Sequence, residues 1–190
     1  LGCSENGTGN CRVVAITSGK GGVGKTTVAL NLALAFVLEG RRTLVIDADL
    51  GLSNVHVLAG INPKVTLLDV VEGRVSLNNA ITDGPAGVRI LCGCSGVSRM
   101  AERSKRLAAI ISSQLQFLAA KFDRIIIDTG AGISRQVVRF LEIAEDIVVI
   151  ATPDLSSTLD AYSVIKTVHE KRFKGRIHLL ANQAPDEASA

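Results

Sequence analysis

At 190 residues, with 47% hydrophobic and 21% charged side chains, the chain has the make-up of one ordinary globular domain able to bury a substantial core. Its 21 Lys and Arg against 18 Asp and Glu leave a formal charge of +3, too small by itself to argue for nucleic acid or an anionic membrane. No apolar run approaches the ~20 residues that cross a bilayer, and the opening LGCSENGTGNC lacks the basic start and apolar stretch of an export signal.

Residues 1–11 are polar and are expected as a linker or disordered arm, with one domain over 12–182 and a loose end over 183–190. The beginning at Leu1 and the ending at Ala190 are expected to reflect a trimmed chain, the last strand and helices of its sheet included. Six runs rich in Val, Ile and Leu follow one another: RVVAIT (12–17), RTLVID (42–47), GVRILC (87–92), DRIIIDT (123–129), DIVVIAT (146–152) and RIHLLAN (176–182). Each has the length of a strand, and continuous rather than alternating apolar character predicts burial on both faces. Helices fit between them at Thr26 to Glu39 (stopped by Gly40), Arg99 to Lys121, Ser134 to Ile143 and Ser156 to Phe173, with two short turns over Val65 to Ala80. The alternation predicts an α/β doubly wound, mostly parallel sheet with helices on both faces.

The first strand runs into SGKGGVGKTT, in which Gly19, Gly24, Lys25 and Thr26 satisfy the spacing of a phosphate-binding loop between strand and helix. Gly19, Gly21, Gly22, Val23 and Gly24 would turn backbone N–H groups towards phosphate oxygens, and the helix N-terminus adds a favourable dipole. Lys25 would neutralise phosphate charge, the Thr26 hydroxyl would ligate Mg²⁺, and Thr27 would donate to a further phosphate oxygen.

A cradle alone is not an enzyme, so carboxylates at the ligand edge of the sheet matter next. Asp128 closes RIIID, where a carboxylate commonly holds Mg²⁺, and Asp47 and Asp49 close TLVIDAD at a spacing that puts both on one side of an extended segment. One of that pair can support the metal while the other orients water. The remaining candidates carry less. Cys3, Cys11, Cys92 and Cys94 permit a metal site or disulfides, but C-x-C is not the usual zinc spacing and cysteine commonly fills a strand as a small hydrophobe. His56, His169 and His178 are scattered, and the basic runs RMAERSKR and Lys171 to Arg176 read as solvated faces.

The second lysine of the loop, Lys20, together with DADLGLSN, resembles the deviant Walker A family of MinD and ParA ATPases. DADLGLSNVHVLAGINPKVTLLDVVEG, DTGAGIS and TPDLSSTLDAYSVIK resemble its flagellar branch, the FlhG (FleN) regulators of flagellar number and placement. The resemblance implies a cytoplasmic Mg-ATP-dependent homodimer that hydrolyses ATP slowly without an activating partner. In that scheme Lys20 reaches the partner copy's phosphates and Asp49 positions the hydrolytic water. Asp47, Asp128 and Thr26 serve the metal, Gly130 contacts the γ-phosphate, and Asn182 reads adenine. It also implies an FlhF-like GTPase and flagellar switch or transcription-regulator proteins as partners, with membrane contact through a C-terminal helix absent from this chain. Neither the +3 charge nor DTGAGIS favours DNA partition of the ParA type. The sequence also leaves open MinD-type division-site placement and a metal-cluster carrier of Mrp type using Cys92 and Cys94.

Overall fold

The computed structural model describes residues 11–49, 53–93 and 100–185. Cys3, Cys94, Arg99, residues 50–52 and both chain ends lie outside them. Among the described residues, seven strands form one sheet: β1 (Arg12–Thr17), β2 (Thr43–Asp47), β3 (Ile81–Asp83), β4 (Arg89–Leu91), β5 (Arg124–Asp128), β6 (Asp146–Ala151) and β7 (Arg176–Ala181). Their spatial order is β3-β4-β2-β5-β1-β6-β7, with every pairing parallel except β3 against β4.

The strands are connected through α1 (Lys25–Leu38), α2 (Val55–Leu58), α3 (Leu67–Val71), α4 (Met100–Ser113), α5 (Leu115–Lys121), α6 (Arg135–Leu141) and α7 (Leu155–Glu170). Because side chains alternate along a strand, each buried strand serves two cores. Val14, Ile16, Val45, Ile126 and Ile150 pack with Ala29, Leu30 and Ala33 of α1 and Val55 of α2. Val13, Ala15, Leu44, Ile46, Ile125, Ile127, Ile147 and Val149 face the opposite layer, built from α3 to α7. The continuous apolar runs of β1, β2, β5 and β6 are therefore the expected consequence of helices on both sides.

Helix ends follow local chemistry. At the close of α1 the Gly40 N–H donates to the Val37 carbonyl and the Arg41 N–H to that of Phe36, with Gly40 at φ +77°. Ser134 and Asp154 cap α6 and α7, each side chain accepting from the backbone N–H three residues on.

Three expectations change. The single helix over Arg99 to Lys121 is two helices, because the backbone leaves helical angles at Gln114 (φ −99°, ψ 4°) and its N–H is shared between the Ile110 and Ile111 carbonyls. A short antiparallel β3 precedes β4, and the Gly84 N–H donating to the Val88 carbonyl helps close the turn between them. Most tellingly, β7 is exposed at all six residues although its sequence reads as a buried strand. It is the edge of the described sheet, and its side chains join neither core because no helix among the described residues packs on its faces, so Leu179 and Leu180 are exposed.

Candidate functional site

β1 delivers the chain into the glycine-rich loop at the C-terminal edge of the sheet. Gly22 (φ +78°) and Gly24 (φ +94°) occupy left-handed backbone conformations that L side chains adopt only with strain. Gly19 is needed for another reason: a Cβ there would lie 2.3 Å from the backbone carbonyl carbon of Asp160 on α7. The loop is thus wedged against a helix more than a hundred residues away.

Within the loop the Lys25 ammonium donates to Ser18 Oγ at 3.0 Å, and that hydroxyl donates in turn to the Lys20 carbonyl at 2.6 Å. Burial lowers the Lys25 pKa, while the charges of Asp128 and Asp49 pull it up. The two loop lysines part company here. Lys20 Nζ leaves the cradle and donates to Asp154 Oδ1 at 3.2 Å and Ser156 Oγ at 3.0 Å, at the exposed N-terminus of α7. The Ser156 hydroxyl first, then the Thr152 hydroxyl, the Ser157 N–H and Lys20, hold the Asp154 carboxyl well below the usual carboxylate range.

The carboxylates converge as their spacing predicts. Asp47 and Asp128 end β2 and β5 as register partners, on the same sheet face as Val45 and Ile126, which is the α1 side. That parity brings Asp128 within hydrogen-bonding reach of the Thr26 hydroxyl at the start of α1. Asp47 is committed to its own loop: Ser53 Oγ donates to its Oδ2 at 2.5 Å, and the Val55 and Asp49 N–H groups donate at 3.3 Å. Asp49 is held two residues on, its carboxylate carbon 3.6 Å from where a Gly130 Cβ would sit. Asp49 and Gly130 are therefore neighbours across the loop that follows β5, at a spacing that even a Cβ would meet as ordinary contact.

That loop is stitched to β1. The Thr129 N–H and hydroxyl both donate to the Ile16 carbonyl, at 3.1 and 2.9 Å, and the Gly132 N–H donates to Ser18 O at 2.8 Å. From the sheet's other side Asn182, at the end of β7, donates through Nδ2 to the Val23 carbonyl at 2.8 Å. Ser18, Ser53, Thr129, Asp154, Ser156 and Gln183 are site residues that sequence reasoning missed. Ser18, Ser53, Thr129, Asp154 and Ser156 all lie inside the motifs quoted above, but their contacts are not readable from those motifs.

The donor set suits a magnesium nucleotide. Asp128 Oδ1 is a buried oxygen without a hydrogen-bond partner among the described residues, and Thr26 stands beside it. Mg²⁺ is commonly held by one or two carboxylates, with the rest of its shell from water and phosphate. Burial, more than any other influence, pushes Asp47 up to about 6 and Asp128 up to about 7. The Cys92 thiol is buried and pushed up to about 11, by burial first and the Asp47 charge second, which makes it a poor thiolate ligand.

These shifts have a sign. Asp128 titrates higher folded than at its ordinary 3.8, so its contribution to stability is full below about pH 4 and is lost as pH rises through 7. Asp128→Asn removes that loss. In nucleotide-free protein with EDTA, urea unfolding is expected to show the variant more stable than the parent by about 2 kcal/mol at pH 8, with the gap closing towards pH 5. A gap of equal size at both pH values would contradict the assignment.

No helix among the described residues is long and apolar enough to cross a membrane. The sequence profile of the AAA domain family matches residues 11–179. Over 173 residues the chain is 42% identical to the antiactivator FleN of Pseudomonas aeruginosa, covering 91% of this chain and 62% of that protein. It is 35% identical over 184 residues to the flagellum site-determining protein YlxH of Helicobacter pylori, covering 96% of this chain and 62% of that one. Among solved structures, the septum site-determining protein MinD of Pyrococcus horikoshii, complexed with Mg-ADP, is similar with a TM-score of 0.81 and 29% identity, over 94% of this chain and 76% of that one. The chain thus spans 62% of the length of both curated relatives.

Proposed function

Starting from a chain that belongs to the AAA domain family, in its MinD-like P-loop branch with FleN, we propose a Mg-ATP-dependent switch that hydrolyses ATP and pairs with a second copy through Lys20. The observation that carries this reading is the divergence of two lysines five residues apart. Lys25 is turned into the cradle among Ser18, Asp128 and Asp49, whereas Lys20 is turned out of it onto a half-exposed rim. A lysine that serves its own phosphates would stand with Lys25. An ion pair as exposed as Lys20 with Asp154 is screened by solvent and weak, so little opposes redirecting Lys20 to an anion on another molecule.

Each residue has a place in the proposed chemistry. Gly19, Gly21, Gly22, Val23 and Gly24 present backbone N–H groups to the phosphate chain, Thr27 supplies a further hydroxyl, and Lys25 balances the charge. Asp128, Thr26 and, behind them, Asp47 form the metal side of the pocket. Bound Mg²⁺ would supply charge neutralisation across the outer phosphates. In this reading Asp49, beside Gly130, orients the attacking water, and Asn182 reads the base. The same reading makes the protein a cytoplasmic regulator of flagellar number or placement, in keeping with the name of the flagellum site-determining YlxH. An FlhF-like GTPase and flagellar switch or transcription-regulator proteins would be its partners, and any membrane contact peripheral.

The test is Lys20→Ala. Sedimentation with Mg-ATP is expected to show the parent associating and the variant monomeric, while ATP binding stays within about threefold and turnover falls at least tenfold, the charge compensation lost being comparable to a removed trans cation. Unchanged association would sink the proposal.

A further inference from the structure

Asn182 joins two parts of the molecule that have little else in common. It ends β7, whose six residues are all exposed, and its backbone N–H is fixed by the Ala151 carbonyl at the end of β6, at 2.8 Å. From that anchor its side chain reaches across 159 residues of sequence to the phosphate loop, donating to Val23 O at 2.8 Å. Gln183, at φ +59°, follows the same direction, its Nε2 donating to Gly22 O at 3.4 Å. The contact is close: a Cβ on Gly24 would stand 2.5 Å from Asn182 Nδ2, although that amide could swing aside and it is the φ of +94° that reserves the position for glycine. Since the acceptor is a carbonyl, the amide orientation is fixed, with nitrogen towards the loop and Oδ1 left as an acceptor.

We infer that Asn182 is a positioning residue of the phosphate loop. Its carboxamide braces the Val23 carbonyl, at the crest where the chain turns through Gly24 into α1, and so keeps the loop N–H groups aimed at phosphate whatever base is bound. This rests on the nucleotide reading above and adds to it. A residue that only reads adenine affects one nucleobase. A brace under the loop affects every nucleoside triphosphate.

The experiment measures binding of Mg-ATP and Mg-ITP to the parent, Asn182→Ala and Lys25→Ala, using the full chain. ITP carries a carbonyl where adenine carries its exocyclic amine. Asn182→Ala leaves the Val23 carbonyl without this donor, and affinity for both nucleotides is expected to fall by the same factor, about tenfold. A fall of less than threefold for ITP overturns the inference, whatever happens to ATP. Amide exchange in nucleotide-free protein gives a second readout: residues 19–25 are expected to exchange faster in Asn182→Ala while β1 and β5 keep the parent's protection, and uniform loss of protection overturns it. Should Asn182→Ala fold poorly, the isosteric Asn182→Asp carries the same test, because it sets a carboxylate oxygen against the Val23 carbonyl and is expected to weaken ITP at least as much. Lys25→Ala keeps the two readings apart. If it binds ATP and ITP as the parent does, the nucleotide reading fails regardless of Asn182.

Discussion

Asp49→Ala is expected to cut steady-state ATP hydrolysis by about 1,000-fold while leaving ATP affinity within a few-fold of the parent. The size follows from what a positioned carboxylate contributes to proton transfer or water orientation, on the order of 10²–10⁴. The separation of binding from turnover follows from geometry. Asp49 lies beside Gly130, and its influence on Lys25 is through charge, second to that of Asp128. Removing it takes away one of two carboxylates that favour the charged form of Lys25, and Asp128, the stronger of the two, remains. Phosphate release at saturating Mg-ATP, paired with a direct binding titration, measures both quantities. Turnover within tenfold of the parent would return Asp49 to a structural role in the loop that Asp47 organises.

Lys25→Ala is expected to do the reverse and remove binding itself, weakening ATP by about 100-fold, the range of a charge-assisted contact to phosphate. Burial already disfavours the ammonium, and the charges of Asp128 and Asp49 oppose that. Without it the buried carboxylates lose their compensating cation, so the pocket is left with negative groups facing a polyanion. The expected signature is loss of affinity for ADP as well as ATP, since the whole phosphate chain faces this charge. Fluorescent-nucleotide titration at two salt concentrations would show it, and affinity within threefold of the parent would place the phosphates elsewhere.

How much of this could be read beforehand divides along the range of the interactions. Gly24, Lys25, Thr26 and Asp128 announce themselves because a strand, a tight turn and a helix start lie within a few residues of one another, and local spacing carries the geometry. The strand runs were legible for the same reason, apart from boundaries that moved by a residue or two. What stayed hidden was set by distant packing. Nothing near Ser18 says that it relays between Lys25 and the Lys20 carbonyl, and nothing near Lys20 says that its ammonium meets Asp154, 134 residues on. The exposure of β7 was illegible because an apolar run records what a strand can bury, whereas the layer packed on its faces decides what it does bury, and no described helix covers β7. Asn182 shows both sides at once. The family resemblance marked it for the nucleotide, but its bond to Val23 depends on the strand order that places β7 two places from β1.

The seam between Gly19 and Asp160 sets a rule for anyone recombining this domain with its relatives. A chimera that took residues 12–40 from one parent and α7 from another could match every phosphate-binding residue and still be misassembled. Fit at that seam is Gly19 against the backbone and Cβ of Asp160, atoms too close to the chain to swing aside. Loop and helix are therefore one heritable part, although the chain writes them far apart.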